Sequence, residues 1–373
     1  MKVVISGYVG KKITGIGRNL ISLLENSSSD IEYVIYTNED MKNDFKFSNP
    51  HVFVKTYPIS KKSSIKNLLW TTFMFPFVVR RENADIALIP NFTLLLFKFC
   101  PTVVIIHDLI EFNIKNKFSP MKMFYRTKIA DPLMVKMSDK IITVSENSKK
   151  DLIKFLRAPS DKITVINNGV DQEKFFRMDK KKAEEILCAN KWPTDFILYA
   201  GTIDHPGKNA IAVVKAFEEL KKCRKYKGNC VLAGMPGSGF EFVKEYIEKS
   251  IFKDQIFLTG FVSDEELVAL YSRCDSFVFV SLYEGFGIPP LEALSCGAKV
   301  VVSNSSSLPE VVGNLGITVD PFDQKSVTEA VYNSLIMDIN DYYRTSISEH
   351  LKKYEWNNLS SEFERVLSLS KQN

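Results

Sequence analysis

The sequence predicts an α/β protein made of two doubly wound parallel-sheet domains. Short β-branched apolar runs alternate with amphipathic helical stretches along the whole chain. The pattern begins again in the second half. The runs are almost bare of polar residues, as strands buried on both faces require. At 373 residues the chain exceeds one ordinary core and suits two domains.

In the first half, strands are expected at Val3 to Ser6, Tyr33 to Tyr36, Ile86 to Ile89, Val103 to Ile106 and Ile141 to Val144. A helix is expected from Asn19 to Leu24. Asn168-Gly169 signals a turn, and the polar stretch Asp171 to Lys182 reads as a linker. This divides the chain into an N-terminal domain, 1–170, and a second domain, 171–355. There, strands are expected at Phe196 to Tyr199, Cys230 to Ala233, Ile256 to Leu258, Phe277 to Val280 and Val300 to Val302. Ala212 to Leu220 and Glu265 to Tyr271 read as helices. A last helical pattern starts at Trp356, and the segment of about 356–373 is expected to pack back on the first domain. Doubly wound sheets bind ligands outside the carboxyl ends of their strands, so the chemistry is expected on loops that follow strands, in a cleft between facing domains.

Composition narrows the function. A net charge of +5 is too mild for a nucleic-acid binder, though it permits a basic face. The six cysteines contain no C-x-x-C pair and read as free thiols in a reducing compartment. The four histidines lack metal-ligand spacing and no D-x-D occurs, so no built-in metal site is expected. Met1 to Gly7 reads as a strand, without the apolar region or cleavage site of a signal peptide. No apolar run reaches membrane-spanning length, and a cytoplasmic location is expected.

One segment stands out. Tyr283-Glu284-Gly285-Phe286-Gly287-Ile288-Pro289-Pro290-Leu291-Glu292-Ala293 follows a predicted strand. Gly285 and Gly287 permit a sharp bend and a close approach to a ligand. Pro290 suits a first helical turn, and the helix should stop near Gly297. A strand, a tight loop and a helix N-terminus make an anion site. Glu284 in the loop can meet sugar hydroxyls, and Glu292 in the first helical turns can accept from a ribose. A lone first-turn glutamate would be ordinary dipole chemistry, but here the pair comes with both glycines and the prolines.

E-G-F-G-x-P-x-x-E-A resembles the E-x7-E signature of retaining family 4 glycosyltransferases, with Gly285 to Leu291 between the acids. The resemblance extends at lower intensity over nearly the whole chain. It implies the GT-B fold and transfer of a sugar, with mannose the guess, from a nucleotide diphosphate sugar to a hydroxyl of a glycan or lipid-linked acceptor. A bacterial surface polysaccharide pathway, retained configuration and no cofactor or metal are also implied. The donor side would be formed by Gly285, Phe286, Gly287 and Ile288 with the two acids.

Other positions fit around this turn. In the family, a loop like Tyr199-Ala200-Gly201-Thr202 and the following Lys208-Asn209 holds the diphosphate with a lysine and usually an arginine. Lys208 matches the lysine. Thr202 and Gly207 stand where relatives carry arginine, and His205 is the available substitute. A lysine at a helix start opposes the dipole, which favours a ligand-binding role. After Ile256 to Leu258, Ser263 or Asp264 suits an N-cap, with Glu266 completing a capping box. The resemblance adds base reading by the backbone of Phe261 and Val262. Near the N-terminus, Thr14-Gly15-Ile16-Gly17-Arg18 opens a helix, where Gly15 and Gly17 permit close approach and Arg18 can meet phosphate. The same loop could begin a nicotinamide site with Glu39 or Asp40 on the ribose. His107-Asp108 ends a strand, and the family places such a histidine beside the donor sugar. Asn147 falls in a loop that touches the acceptor in relatives, as Asp108 does on the same side, and Ser145 is equally an N-cap. Ser303 to Glu310 matches another family loop, with packing its simplest role.

Lys61, Lys62 and Lys66 precede Leu68-Leu69-Trp70 and Phe73-Met74-Phe75-Pro76-Phe77, with Arg80 and Arg81 after. That suits peripheral association with the inner membrane surface, or a buried helix with solvated flanks. Three other functions remain open on sequence: a nucleotide-sugar epimerase or phosphorylase of the same architecture, an NAD-dependent oxidoreductase, and a non-catalytic sugar binder. The oxidoreductase gives the Glu284/Glu292 turn no role.

Overall fold

The computed structural model describes residues 1–371 except 11, 12, 14, 29, 92, 94 and 115–117. The chain divides into two compact units, Met1–Gly169 with Tyr354–Asn373, and Val170–Lys353.

Unit 1 holds seven strands: β1 Lys2–Ser6, β2 Glu32–Asn38, β3 Val52–Tyr57, β4 Ile86–Ile89, β5 Thr102–Ile106, β6 Lys140–Thr143 and β7 Ile163–Val165. They form one parallel sheet in the order β3-β2-β1-β4-β5-β6-β7. The order reverses between β1 and β4. Alternate strand residues feed two cores. Val3, Ile5, Ile86, Leu88, Val103 and Ile105 face one way, against Leu20, Leu23 and Leu24 of the helix Gly15–Glu25. Val4, Ala87, Ile89, Val104 and Ile106 face the other, against Phe75, Val79, Met134 and Val135.

The helix Trp356–Lys371 completes the first of these cores. Its Phe363 is fully buried and stacks on Tyr33 at 6.5 Å between ring centres. The Ser360 hydroxyl donates to the Leu23 carbonyl at 3.0 Å. At the turn where the chain leaves unit 1, Asn168 accepts from the buried Asn19 amide at 2.7 Å. Gly169 lets the Trp356 indole close over the backbone, because a Cβ there would lie 2.6 Å from the ring.

Unit 2 holds β8 Phe196–Ala200, β9 Asn229–Ala233, β10 Ile256–Gly260, β11 Ser276–Phe279, β12 Val300–Ser303 and β13 Gly316–Val319. These too are parallel, ordered β10-β9-β8-β11-β12-β13. The reversal falls between β8 and β11, the place where connections leave to opposite faces and a crevice opens.

The structure differs from the sequence expectation in several elements. β3, β7 and β13 were not expected. β3 is half exposed in alternation, β7 has three residues, and β13 lies at the sheet edge with partial exposure. The stretch Asp171 to Lys182 is packed rather than loose. Phe175 and Met178 are buried, Ser295 donates to the Phe175 carbonyl, and Met178 N–H donates to Ser272 Oγ at 3.0 Å. Asp179 then caps the helix Lys180–Ala189.

Phe363→Ala is expected to destabilise unit 1 by about 3–5 kcal/mol through a core cavity. Urea unfolding followed by hydrogen exchange should show the loss in β1 and β2 while β8 and β11 keep their protection.

Candidate donor site in unit 2

Three loops at the carboxyl ends of β8, β11 and β12 build the site. The first runs from Gly201 to Asn209. Its residue Asn209 takes a left-handed conformation ahead of the helix Ala210–Lys222, so Lys208 sits just outside the helix. The Asp204 carboxylate is buried and accepts the Lys208 backbone N–H at 2.6 Å. The second loop, Val280 to Gly287, enters the helix Ile288–Ser295. Its backbone is tied to the first: the Gly207 carbonyl accepts from Leu282 N–H at 2.9 Å and from Ser281 Oγ at 3.1 Å.

Lys208 and Glu284 are thereby brought face to face. The ammonium meets the two carboxylate oxygens at 2.6 and 2.8 Å, and lies 5.5 Å from the centre of the Phe279 ring. Both side chains stay partly open to solvent.

The third loop clamps the second. The Ser303 hydroxyl donates to the Ser281 carbonyl at 2.6 Å and Ser305 to that of Leu282 at 3.0 Å. Ser306 Oγ accepts the Glu284 N–H at 2.9 Å. Ser307 donates to the carbonyls of Glu284 at 3.0 Å and Phe286 at 2.6 Å. Packing is the simplest role that residue type alone predicts for this serine run. In the structure its hydroxyls replace the ladder partners that the carboxylate loop lacks. No pattern of residue types announces such bonds.

Gly287 has φ +110 and caps the helix, and a Cβ there would strike Leu308 at 2.5 Å. Gly285 does not share that left-handed backbone. Phe286 is buried, so its side chain belongs to the core and only its backbone borders the loop. Pro289 and Pro290 carry no N–H, so Gly287 and Ile288 are the donors that open this helix end. Glu292 lies one turn further in, buried, and accepts the Tyr271 hydroxyl at 3.2 Å. Burial, reinforced by the Glu292 carboxylate, pushes the Tyr271 phenol well up, so it stays a donor.

Around this centre, the Thr202 carbonyl accepts from the Tyr199 hydroxyl at 2.9 Å while its side chain is exposed. His205 stacks on Phe242 at 4.5 Å, which holds its ring in place. Phe261 is 76% exposed beyond the left-handed Gly260, and Val262 is half-buried. Ser263 caps the next helix, with Glu266 completing a capping box.

The remaining predicted residues belong to unit 1. Gly15 and Gly17 are inside the first helical turn, not in a loop, and Gly17 is buried against Val9 and Ile13. Arg18 on that helix is exposed. Thr14 lies outside the described residues. Glu39 and Asp40 begin a short 3-10 turn, and Asp40 is spent on the Ser60 hydroxyl and Lys61 N–H. His107 follows β5 and is 8% exposed, and its Nε2 has no hydrogen-bond partner among the described residues. Burial lowers its pKa from 6.5 to about 4, against a weaker opposing hydrogen bond to the Pro90 backbone. The imidazole is therefore neutral at pH 7. Asp108 accepts the Ile110 N–H at 3.1 Å. Asn147 is in the first turn of the helix Glu146–Leu156 rather than a loop, with Ser145 as its N-cap. Its buried Nδ2 also lacks a partner among the described residues. Ser148 Oγ donates to the His107 carbonyl at 3.2 Å, linking these two strand ends.

Two parallel-sheet units, one carrying a lysine–glutamate pair and a helix N-terminus at its strand-order reversal, define a protein of the doubly wound α/β class. Known proteins narrow this class. Residues 188–349 match the model "Glycosyl transferases group 1" and residues 13–174 match "Glycosyltransferase Family 4". The serotype-specific mannosyltransferase WbdA of Escherichia coli is 32% identical over 286 residues, 73% of this chain and 34% of that protein. The O-antigen chain mannosyltransferase B of Escherichia coli is 31% identical over 226 residues, 60% of this chain and 58% of that one. The chain thus spans about a third of the length of the first relative. Among solved structures, a glycosyltransferase from Rickettsia africae superposes with TM-score 0.75 at 17% identity, covering 100% of this chain and 99% of that one. Anabaena HepE in complex with UDP and glucose gives 0.74 at 16%, with 99% of each chain covered, and shares the two-unit fold. The chain belongs to the family 4 glycosyltransferases and has the GT-B fold.

The neutrality of His107 is open to direct measurement. Below pH 6.5 an unfolded histidine binds a proton that the folded one refuses until about pH 4. Unit 1 should lose stability as pH falls through that window, and His107→Asn should remove this part of the loss. Imidazole NMR shifts of His107 should stay those of the neutral ring at pH 6.

Proposed function

We propose that this protein transfers a hexosyl group, mannosyl by the names of its relatives, from a nucleotide diphosphate sugar to a hydroxyl of a bacterial surface glycan or its lipid-linked precursor. The observation that carries this reading is the Lys208–Glu284 pair at the reversal between β8 and β11.

An ammonium has three protons. Two serve the Glu284 oxygens, which leaves the third for a phosphate oxygen of the donor. The carboxylate, held by Lys208, keeps lone pairs for two neighbouring sugar hydroxyls. The N–H groups of Gly287 and Ile288 add positive potential where the leaving diphosphate gains charge. Glu292, fixed by Tyr271, accepts from the ribose. This division of labour supplies the diphosphate with cationic and dipolar partners from the chain itself, so we propose turnover without a metal. Thr202 and His205 lie in the same loop as the lysine, where they border the proposed phosphate site.

The reaction retains configuration in this reading. The acceptor oxygen bonds to the anomeric carbon on the face from which the diphosphate departs, and the acceptor proton passes to a phosphate oxygen. His107, neutral and buried, contributes a hydrogen bond rather than a charge. Six free thiols support a reducing, cytoplasmic setting.

Thermal shift against GDP-, UDP- and dTDP-sugars identifies the donor, because a ligand of the folded state raises the midpoint. With that donor, Lys208→Ala should lower kcat by about two to three orders of magnitude. Glu292→Ala should raise the donor KM by about tenfold or more, the scale of one lost charged hydrogen bond. Wild-type turnover in both variants refutes these roles, and product NMR showing an inverted anomeric centre refutes retention.

A further inference from the structure

Two acids of unit 1 lie in contact and out of solvent, and the transfer reading gives neither of them a task. Glu111 belongs to the four-residue helix Ile110–Asn113, which follows His107 and Asp108 directly. Its side chain has 0% exposure, and the Arg126 guanidinium lies 2.8 Å from its Oε1. Asp131 opens the helix Asp131–Met137 and is fully buried. Its carboxyl lies in hydrogen-bonding reach of Glu111. Neither Asp131 oxygen finds a hydrogen-bond donor among the described residues.

An irregular backbone brings these groups together. Residues Arg126–Ala130 form a π-helical turn, and the Asp131 N–H donates to the Arg126 carbonyl. In an α-helix of about 3.6 residues per turn, positions five apart point in different directions. The wider π turn swings Arg126 and Asp131 toward one side, where Glu111 meets both. Such turns are rare and recur at functional sites.

One guanidinium does not neutralise two carboxylates in a dry interior. Like charges in contact and out of solvent do not both ionise, so the pair keeps one proton. Arg126 touches Glu111, which favours the negative charge there and leaves the proton on Asp131. Burial raises the Asp131 pKa well above its ordinary 3.8, with Glu111 adding to the rise and Arg126 opposing it. Asp108, Lys122 and Tyr125 face this cluster from the neighbouring elements, and Asp151 lies beyond Asn113.

The cluster reaches the end of β5 through short links. Asp108 accepts the Ile110 N–H at 3.1 Å, and Asn113 donates to Asp151 at 2.8 Å. Ser148 donates to the His107 carbonyl at 3.2 Å. Glu111 is the only acid of the helix between these bonds, and it ties that helix to the turn 126–130.

We propose that Arg126, Glu111 and a protonated Asp131 form a buried lock that positions the turn bearing His107 and Asp108 for sugar transfer. Asp131 donates to Glu111, and Arg126 balances the charge that remains. Loss of the Asp131 proton leaves two buried carboxylates against one guanidinium and pushes the helix Ile110–Asn113 from its seat. All three are positioning residues. The kinetic part of this inference rests on the transfer reading, and the structural part does not.

The test compares two variants of the full chain. Asp131→Asn keeps a donor for Glu111 but cannot ionise, and Asp131→Leu removes the donor. Asp131→Asn should match the wild-type kcat at pH 7 and hold it into the alkaline range, where wild-type activity falls. Asp131→Leu should lower kcat about tenfold or more with the donor KM unchanged, because the donor contacts proposed above belong to unit 2. Two readouts need no turnover. Above pH 3.8 the unfolded chain releases a proton that the folded protein keeps, so wild type loses stability as pH rises. Asp131→Asn removes this slope, and its melting midpoint should gain on wild type between about pH 5 and 8. The His107 imidazole NMR signals should shift at alkaline pH in wild type and stay fixed in Asp131→Asn. The proposal is overturned if Asp131→Asn loses activity at pH 7, if its melting follows the wild-type pH profile, or if the His107 signals of the two proteins move alike. Should Asp131→Leu fail to fold, the Asp131→Asn comparison decides alone. If melting and NMR behave as stated while no sugar donor is turned over, the lock stands and the transfer reading falls.

Discussion

Unit 2 organises its site around one carbonyl oxygen, that of Gly207. At the reversal between β8 and β11 the ladder stops, because the two connections leave toward opposite faces. Backbone groups there need other partners. Gly207 accepts from both Leu282 N–H and Ser281 Oγ, and so fixes the spacing of the two loops. Lys208 is the next residue in one loop of this junction, and Glu284 lies two residues past Leu282 in the other. Their contact inherits its geometry from backbone bonds, with the serines of 303–307 holding the second loop from its far side. A site held this way is preorganised on rigid elements and needs little rearrangement to meet a charged ligand.

The two acids of the turn have different partners. Glu284 keeps 13% of its side chain exposed and pairs with an ammonium that balances its charge. Glu292 is buried and takes a hydrogen bond from a phenol that burial keeps protonated. One acid can exchange partners with solvent and ligand, whereas the other is held in a fixed orientation. Glu284 lies in the loop and Glu292 in the eight-residue helix that follows, with Gly287 turning the chain between them.

Much of the fold was legible because its central strands are apolar on both faces. Val103 to Ile106 and Ile86 to Ile89 need no alternation to be read. β3 and β7 escaped because one alternates at half exposure and the other is too short for a period. The lysine and the first glutamate were each visible in sequence as residues of post-strand loops. Their ion pair was not, since 76 positions separate them and only strand order brings them together. Tyr271 carried no signal at all, as its helix reads as ordinary amphipathic surface and core. The side chain of Phe286 was not legible either, since a residue between two loop glycines turns out to be buried.

The C-terminal helix has a consequence for how the chain is made. Unit 1 lacks Phe363, Val366 and Leu367 until the ribosome has passed through all of unit 2. At typical rates that takes roughly ten to forty seconds. During this interval Tyr33, Leu20 and Leu24 have no cover, while unit 2 is contiguous and free to fold. The nascent first half is thus an obvious client for chaperones that hold apolar surface.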